Sequence, residues 1–167
     1  MSTNQLSTLN PAAREYQRKM THPVIFWLAM LIKLPSAVFW RLKVKKLDQE
    51  ACEVSIPYFW RSQNPFRSIY FAALAGAAEL STGALCQLAL AGRGSFSMLV
   101  VDFRAEYYKK ANTKIIFACD QGLELFEQID QMNPGDTSQL TMVSTGKNTS
   151  GEVIAKFFVT WSFKRKN

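Results

Sequence analysis

Apolar and polar positions change their spacing three times along the chain, and each change marks an element. Asn10 followed by Pro11 makes a helix start, with Asn as the cap and Pro at the first helical position, and "PAAREYQRKM" continues it as a short polar helix. "PVIFWLAMLIKLPSAVFW", Pro23 to Trp40, is apolar but interrupted by Lys33 and Pro35, leaving Val24 to Ile32 as nine uninterrupted apolar residues. A bilayer span takes roughly 20. This segment is expected to lie over the domain, at an interface or on a membrane surface. From Trp40 the period becomes two. "WRLKVKKL" sets Trp40, Leu42 and Val44 against Arg41, Lys43 and Lys45, and "ACEVSIP" alternates through Cys52, Val54 and Ile56, which predicts two paired strands.

Ser68 to Gly92 breaks that period with small and apolar residues all round, which predicts one helix of roughly 24 residues, ~36 Å long, whose whole circumference needs covering. Four more strands follow: "SFSMLVVDFRAEYY", "TKIIFACD", "TSQLTMVSTGK" and "EVIAKFFVTWSFK", with "QGLELFEQIDQMNPGD" between the second and third as a helix and a Pro134-Gly135 turn. In the last strand Val153, Ala155, Phe157, Val159, Trp161 and Phe163 share a face that should be core. Connections this short favour antiparallel pairing, so the expected class is α+β, a curved antiparallel sheet of about six strands around one long central helix. Residues 1–37 are expected to form an N-terminal helical extension and residues 38–167 the main domain.

Composition narrows the chemistry. With 167 residues, 48% of them hydrophobic, one domain with a real core is expected. Lys and Arg outnumber Asp and Glu 20 to 13, a net +7 that suits a phosphate-bearing ligand or an anionic surface, or serves solubility alone. No recognition helix, zinc module or RNA-binding aromatic signature accompanies the charge, so nucleic acid is not an expected partner. Cys52, Cys86 and Cys119 are odd in number and set among apolar residues, as reduced thiols in a cytoplasm would be. His22 is the one histidine, so no histidine-rich metal site can form, and a Ser-His-Asp triad would have to recruit that residue. No metal or cofactor is expected.

Between Ser68 and Gly92 the one formal charge is Glu79. A carboxylate in so apolar a segment is solvated, paired, neutralised or used. One reading pairs it with a Lys or Arg at a subunit boundary. The other makes it a general base or nucleophile whose pKa desolvation raises, with Ala75, Gly76, Thr82, Gly83 and Cys86 as uncharged neighbours on its helix face.

A curved sheet around one central helix is the hot-dog architecture, and over about Val38 to Lys166 the chain resembles that family. It is similar to the branch of phenylacetyl-CoA thioesterases. There an Asn enters the helix, a His-Gly-Gly follows six residues later, and an acidic residue lies nine after the His. Here Asn64, Tyr70-Phe71-Ala72 and Glu79 stand at those spacings, and "DFRAEYYKKA" resembles the strand that ends in aromatic and basic residues. "LIKLPSAVFWRLKV" resembles the thioesterase-like families with a Pro-containing helix before the first strand. The resemblance implies an acyl-CoA or acyl-carrier thioesterase acting as a homodimer or a dimer of dimers, with the coenzyme A thioester as substrate. It implies Glu79 as base or nucleophile, Asn64 as orienter, and the Phe71 and Ala72 amides as oxyanion donors. Ser68, Tyr70, Thr82, Arg104, Lys109 and Lys110 are the expected substrate-binding residues, the cations receiving phosphates, as Lys164, Arg165 and Lys166 also could. The two bulky aromatics in place of His-Gly favour the alternative, a non-hydrolytic binder of acyl chains or acyl-CoA. Residues 24–40 add a peripheral membrane contact to either reading.

Overall fold

Each boundary in the computed structural model, which describes residues 9–167, follows from a local signal. Helix α1 (Pro11–Thr21) starts where the Asn10 side chain accepts the Ala13 N–H at 2.9 Å. The same side chain donates to the Ala91 carbonyl at 2.8 Å, which ties α1 to the end of the central helix. His22 caps α2 (Pro23–Lys33), its Nδ1 accepting from the Ile25 N–H. Pro35 cannot continue α2, so the chain restarts as α3 (Pro35–Phe39).

The first strand, β1 (Lys43–Leu47), begins three residues later than its alternation starts. Trp40 closes α3 and Arg41 takes a left-handed backbone, φ 54°, to turn the corner, so strand pairing waits until Lys43. After β2 (Cys52–Ile56) comes the central helix α4 (Phe71–Leu90), then β3 (Phe96–Tyr107), β4 (Ile115–Cys119), α5 (Gly122–Asp130), β5 (Thr137–Lys147) and β6 (Val153–Arg165). The strands form one antiparallel sheet in the order β1-β2-β4-β5-β6-β3. The alternating face of β6 is buried from Ala155 to Phe163, with Phe157, Val159 and Phe163 wholly inaccessible, but at its start Val153 is only half-buried and Ile154 is buried instead, where the pairing with β5 shifts register between Gly146 and Lys147.

Helix α4 is shorter than its apolar run, 20 residues or ~30 Å, because Asn64 to Ile69 are held in a loop. The Asn64 side chain accepts the N–H groups of Phe66 and Ser68 and the Ser68 hydroxyl, a local alternative to helical bonding. The helix packs on β2, β4, β5, β6 and β1. Its circumference is not fully covered. Phe71, Glu79 and Gln87 are exposed, and Ala72, Ala75, Gly76 and Gly83 are half-buried along the same stripe. The sheet cannot close over this side, so β3 stands across a groove from α4 while α2 and α3 roof it.

Candidate active site

Small residues hollow out the floor of that groove. Trp40 lies over Gly76, where an added Cβ would come within 2.8 Å of its ring, and Trp161 lies over Gly83 at 3.2 Å by the same measure. Two adjoining clefts result. One, of about 470 Å³, is lined by Leu34, Trp40, Phe71, Ala72, Gly76, Val100 and Phe103. The next, of about 540 Å³, runs along Tyr16, Lys19, Met30, Lys33, Gly83, Gln87, Met98 and Trp161. Glu79 and Leu34 belong to both.

Glu79 is thus the carboxylate where the two clefts meet. Its side chain reaches solvent at the groove mouth and makes no hydrogen bond or ion pair with any described residue. Apolar neighbours desolvate it and push its pKa above the ordinary carboxylate value. At the N-terminus of α4, Tyr70 supplies no side-chain cap, and its carbonyl takes the N–H groups of Ala73 and Leu74. The N–H groups of Phe71 and Ala72 find no acceptor among the described residues, and both residues line the Glu79 cleft. Seven residues, ~10.5 Å of helix rise, separate Ala72 from Glu79. Since helical side chains lean toward the N-terminus, the carboxylate reaches back over part of that interval.

The remaining expected site residues are placed elsewhere. Asn64, Ser68, Lys109 and Lys110 line a separate pocket of about 390 Å³ beyond Phe71, which borders both that pocket and the Glu79 cleft. The Asn64 oxygen is occupied by its own loop, and Lys109 is ion-paired with Glu152. Arg104 lies 3.8 Å from the Phe158 ring centroid and pairs with Glu106, on the sheet face opposite Phe157. Thr82 is fully buried, donates to the Glu79 carbonyl at 3.0 Å and accepts the Trp161 indole N–H at 3.0 Å. Tyr70 stands half-exposed, edge-on to Phe71 with ring centroids 4.9 Å apart. Arg165 donates to the Met132 carbonyl at the domain edge.

Lys19, Lys33, Trp40 and Gln87 are groove residues that no motif marks. For Gln87 a signal existed in its eight-residue distance from Glu79 on the same helix face. For the others the roof had to be seen. No group of three His, Cys, Asp or Glu side chains that could hold a metal occurs among the described residues. The three free thiols are buried, and burial pushes all three pKa values up, that of Cys119 to about 11, so none offers a thiolate.

The fold is shared with solved structures. A Pseudomonas aeruginosa protein of unknown function, described as a "Probable Thioesterase", matches with TM-score 0.68 and 17% identity over 87% of this chain and 98% of its own. A Chlorobaculum tepidum protein of unknown function matches with TM-score 0.68 and 13% identity over 89% and 99%. A thioesterase from Haemophilus influenzae matches with TM-score 0.65 and 13% identity over 83% and 88%. At such identities the likeness is one of fold, and none of the three is described as acting on phenylacetyl-CoA. No curated protein matches. Residues 23–162 match the family model described as "Domain of unknown function (DUF4442)", and the chain belongs to that family, with the hot-dog fold.

Proposed function

We propose that this protein hydrolyses an acyl thioester in the groove beside α4. The observation that carries the reading is a carboxylate, Glu79, with no partner among the described residues, sharing one cleft with two N–H groups of a helix N-terminus that likewise find no acceptor among them. Water held by Glu79 gives its proton to the carboxylate as its oxygen bonds the thioester carbon. The charge on the carbonyl oxygen falls toward the Phe71 and Ala72 N–H groups, where the helix dipole favours it. When the C–S bond breaks, the proton passes from Glu79 to the departing thiolate, leaving a carboxylic acid and a thiol. In the nucleophilic variant, Glu79 itself attacks, the thiolate leaves, and water then cleaves the resulting anhydride. The acyl chain follows the second cleft along Met30 toward Met98 and Trp161, and the carrier extends past Phe71 toward Lys110. A second copy, pairing along the free edge of β3, borders the groove's open side.

One observation favours a second reading. The Phe71 side chain is 58% exposed at the entrance to the free amides, where a ring can obstruct a carbonyl. On that reading the groove holds acyl-CoA without turnover. Thiol release from acyl-CoAs of several chain lengths, followed alongside calorimetric binding, separates the two. Hydrolysis predicts release that Glu79→Gln lowers by about 100-fold or more with binding retained. Binding with no Glu79-dependent release leaves the binder.

A further inference from the structure

Helix α2 presents apolar surface in two directions. Phe26 and Met30 are buried, while Val24, Trp27, Leu28, Leu31 and Ile32 form a solvent-facing stripe at i, i+3, i+4, i+7 and i+8, with Ile32 85% exposed. Contiguous exposed apolar surface of this kind marks a docking face.

Charge identifies what docks there. From Tyr16 to Leu47 the chain carries seven basic residues and no acidic one. Arg18, Lys19 and Lys46 are paired with carboxylates, but Lys33, Lys43 and Lys45 have none among the described residues. Lys33 ends α2, and Lys43 and Lys45 line a pocket of about 420 Å³ whose other wall includes Trp27. The apolar stripe is therefore flanked by ammonium groups, with an indole beside them.

We infer that this face seats the protein on an anionic lipid bilayer, α2 lying in the interface plane with its stripe among the acyl chains, and Lys33, Lys43 and Lys45 at the phosphates. At 11 residues, ~16 Å, α2 is too short to cross. An apolar stripe with basic groups at its rim, here supplied by Lys33 and by Lys43 and Lys45 of β1, buries the stripe at the acyl boundary while the ammonium groups stay in water, and an indole beside them suits headgroup depth. A second copy of the chain fits worse, because a twofold contact across the stripe brings the free lysines of both copies together. The inference does not depend on whether Glu79 turns over a thioester. Where it does, Leu34, which continues from α2 into the groove lining, puts the acyl cleft next to the lipid.

The test is co-sedimentation of the full chain with vesicles of phosphatidylcholine alone and with about a third phosphatidylglycerol, at low and high salt. Binding to the anionic vesicles, weakening with salt and accompanied by a blue shift of tryptophan emission, is expected. The double variant Lys43→Gln/Lys45→Gln should lower partitioning about 25-fold, roughly fivefold per charge. Leu28→Gln/Ile32→Gln should lower it about tenfold or more. All four side chains are exposed, so thermal melts and thiol release from water-soluble acyl-CoA should match wild type, whatever that activity is. Failure of the wild type to bind anionic vesicles at low salt overturns the inference, as do variants that partition like wild type. So does a Leu28→Gln/Ile32→Gln variant that changes only the sedimentation coefficient, since that makes the stripe a protein contact.

Discussion

Glu79 carries two linked consequences at the level of the single residue. Its folded pKa lies above the ordinary 4.5, through desolvation, so once the pH exceeds 4.5 the unfolded chain ionises this group more readily than the folded one. Ionisation then draws the equilibrium toward the unfolded chain. Glu79→Gln should raise the melting temperature at neutral pH, with the gain vanishing below about pH 4.5, as calorimetry at several pH values will measure. If the residue is also the base, the acid limb of kcat/KM falls above 4.5, because the proton must be off before water can be activated. Thr82 illustrates the opposite kind of polar residue. Its hydroxyl faces the Trp161 indole inside the core, so Thr82→Val leaves a buried N–H without an acceptor. Chemical denaturation should record a loss of about 1–3 kcal/mol. The two look alike in the sequence, as polar groups three positions apart on an apolar helix. What sorts them is which side of α4 the sheet covers, and periodicity is silent on that when every side is apolar.

Among the elements, those whose boundaries depend on short-range chemistry were legible, and those set by long-range packing were not. Asn10 with Pro11 announced α1 because a cap is a bond between neighbours. The alternation in β6 announced its buried face for a similar reason. The start of α4 at Phe71 was not legible, since Ile69 gives its N–H to the carbonyl of distant Ala111 at 2.7 Å and so stays out of the helix. Asn10 has a further role beyond its cap, because its amide donates to Ala91 and fastens the helical extension to the end of α4. Asn10→Ala should cost about 1–2 kcal/mol in urea unfolding. Since Tyr16, Lys19 and Met30 of the extension wall the second cleft, acyl-CoA affinity should fall with it.

For the whole molecule, the two ends of the sheet differ in a way that bears on assembly. At one end β1 is five residues long, bears Lys43, Lys45 and Lys46, and is bulged between Val44 and Lys46. Shortness, lysines and a bulge are the means by which edges resist pairing. At the other end β3 runs for 12 residues, pairs among the described residues with β6 alone, and exposes Leu99, Val101, Phe103 and Tyr107. An edge that long attracts another strand, and a second β3 related by a twofold axis is one that the chain always has at hand. Pairing there would extend the sheet to twelve strands and set the partner's β3 beside the half-open groove where Val100 and Phe103 face Glu79. Sedimentation equilibrium should therefore give twice the 18.9 kDa of the chain. Hydrogen exchange should show the β3 amides that point away from β6 protected to the same degree as those that point toward it. A monomer at micromolar concentration, with fast exchange at those outward amides, would count against the pairing. The groove would then have to work with its β3 side open.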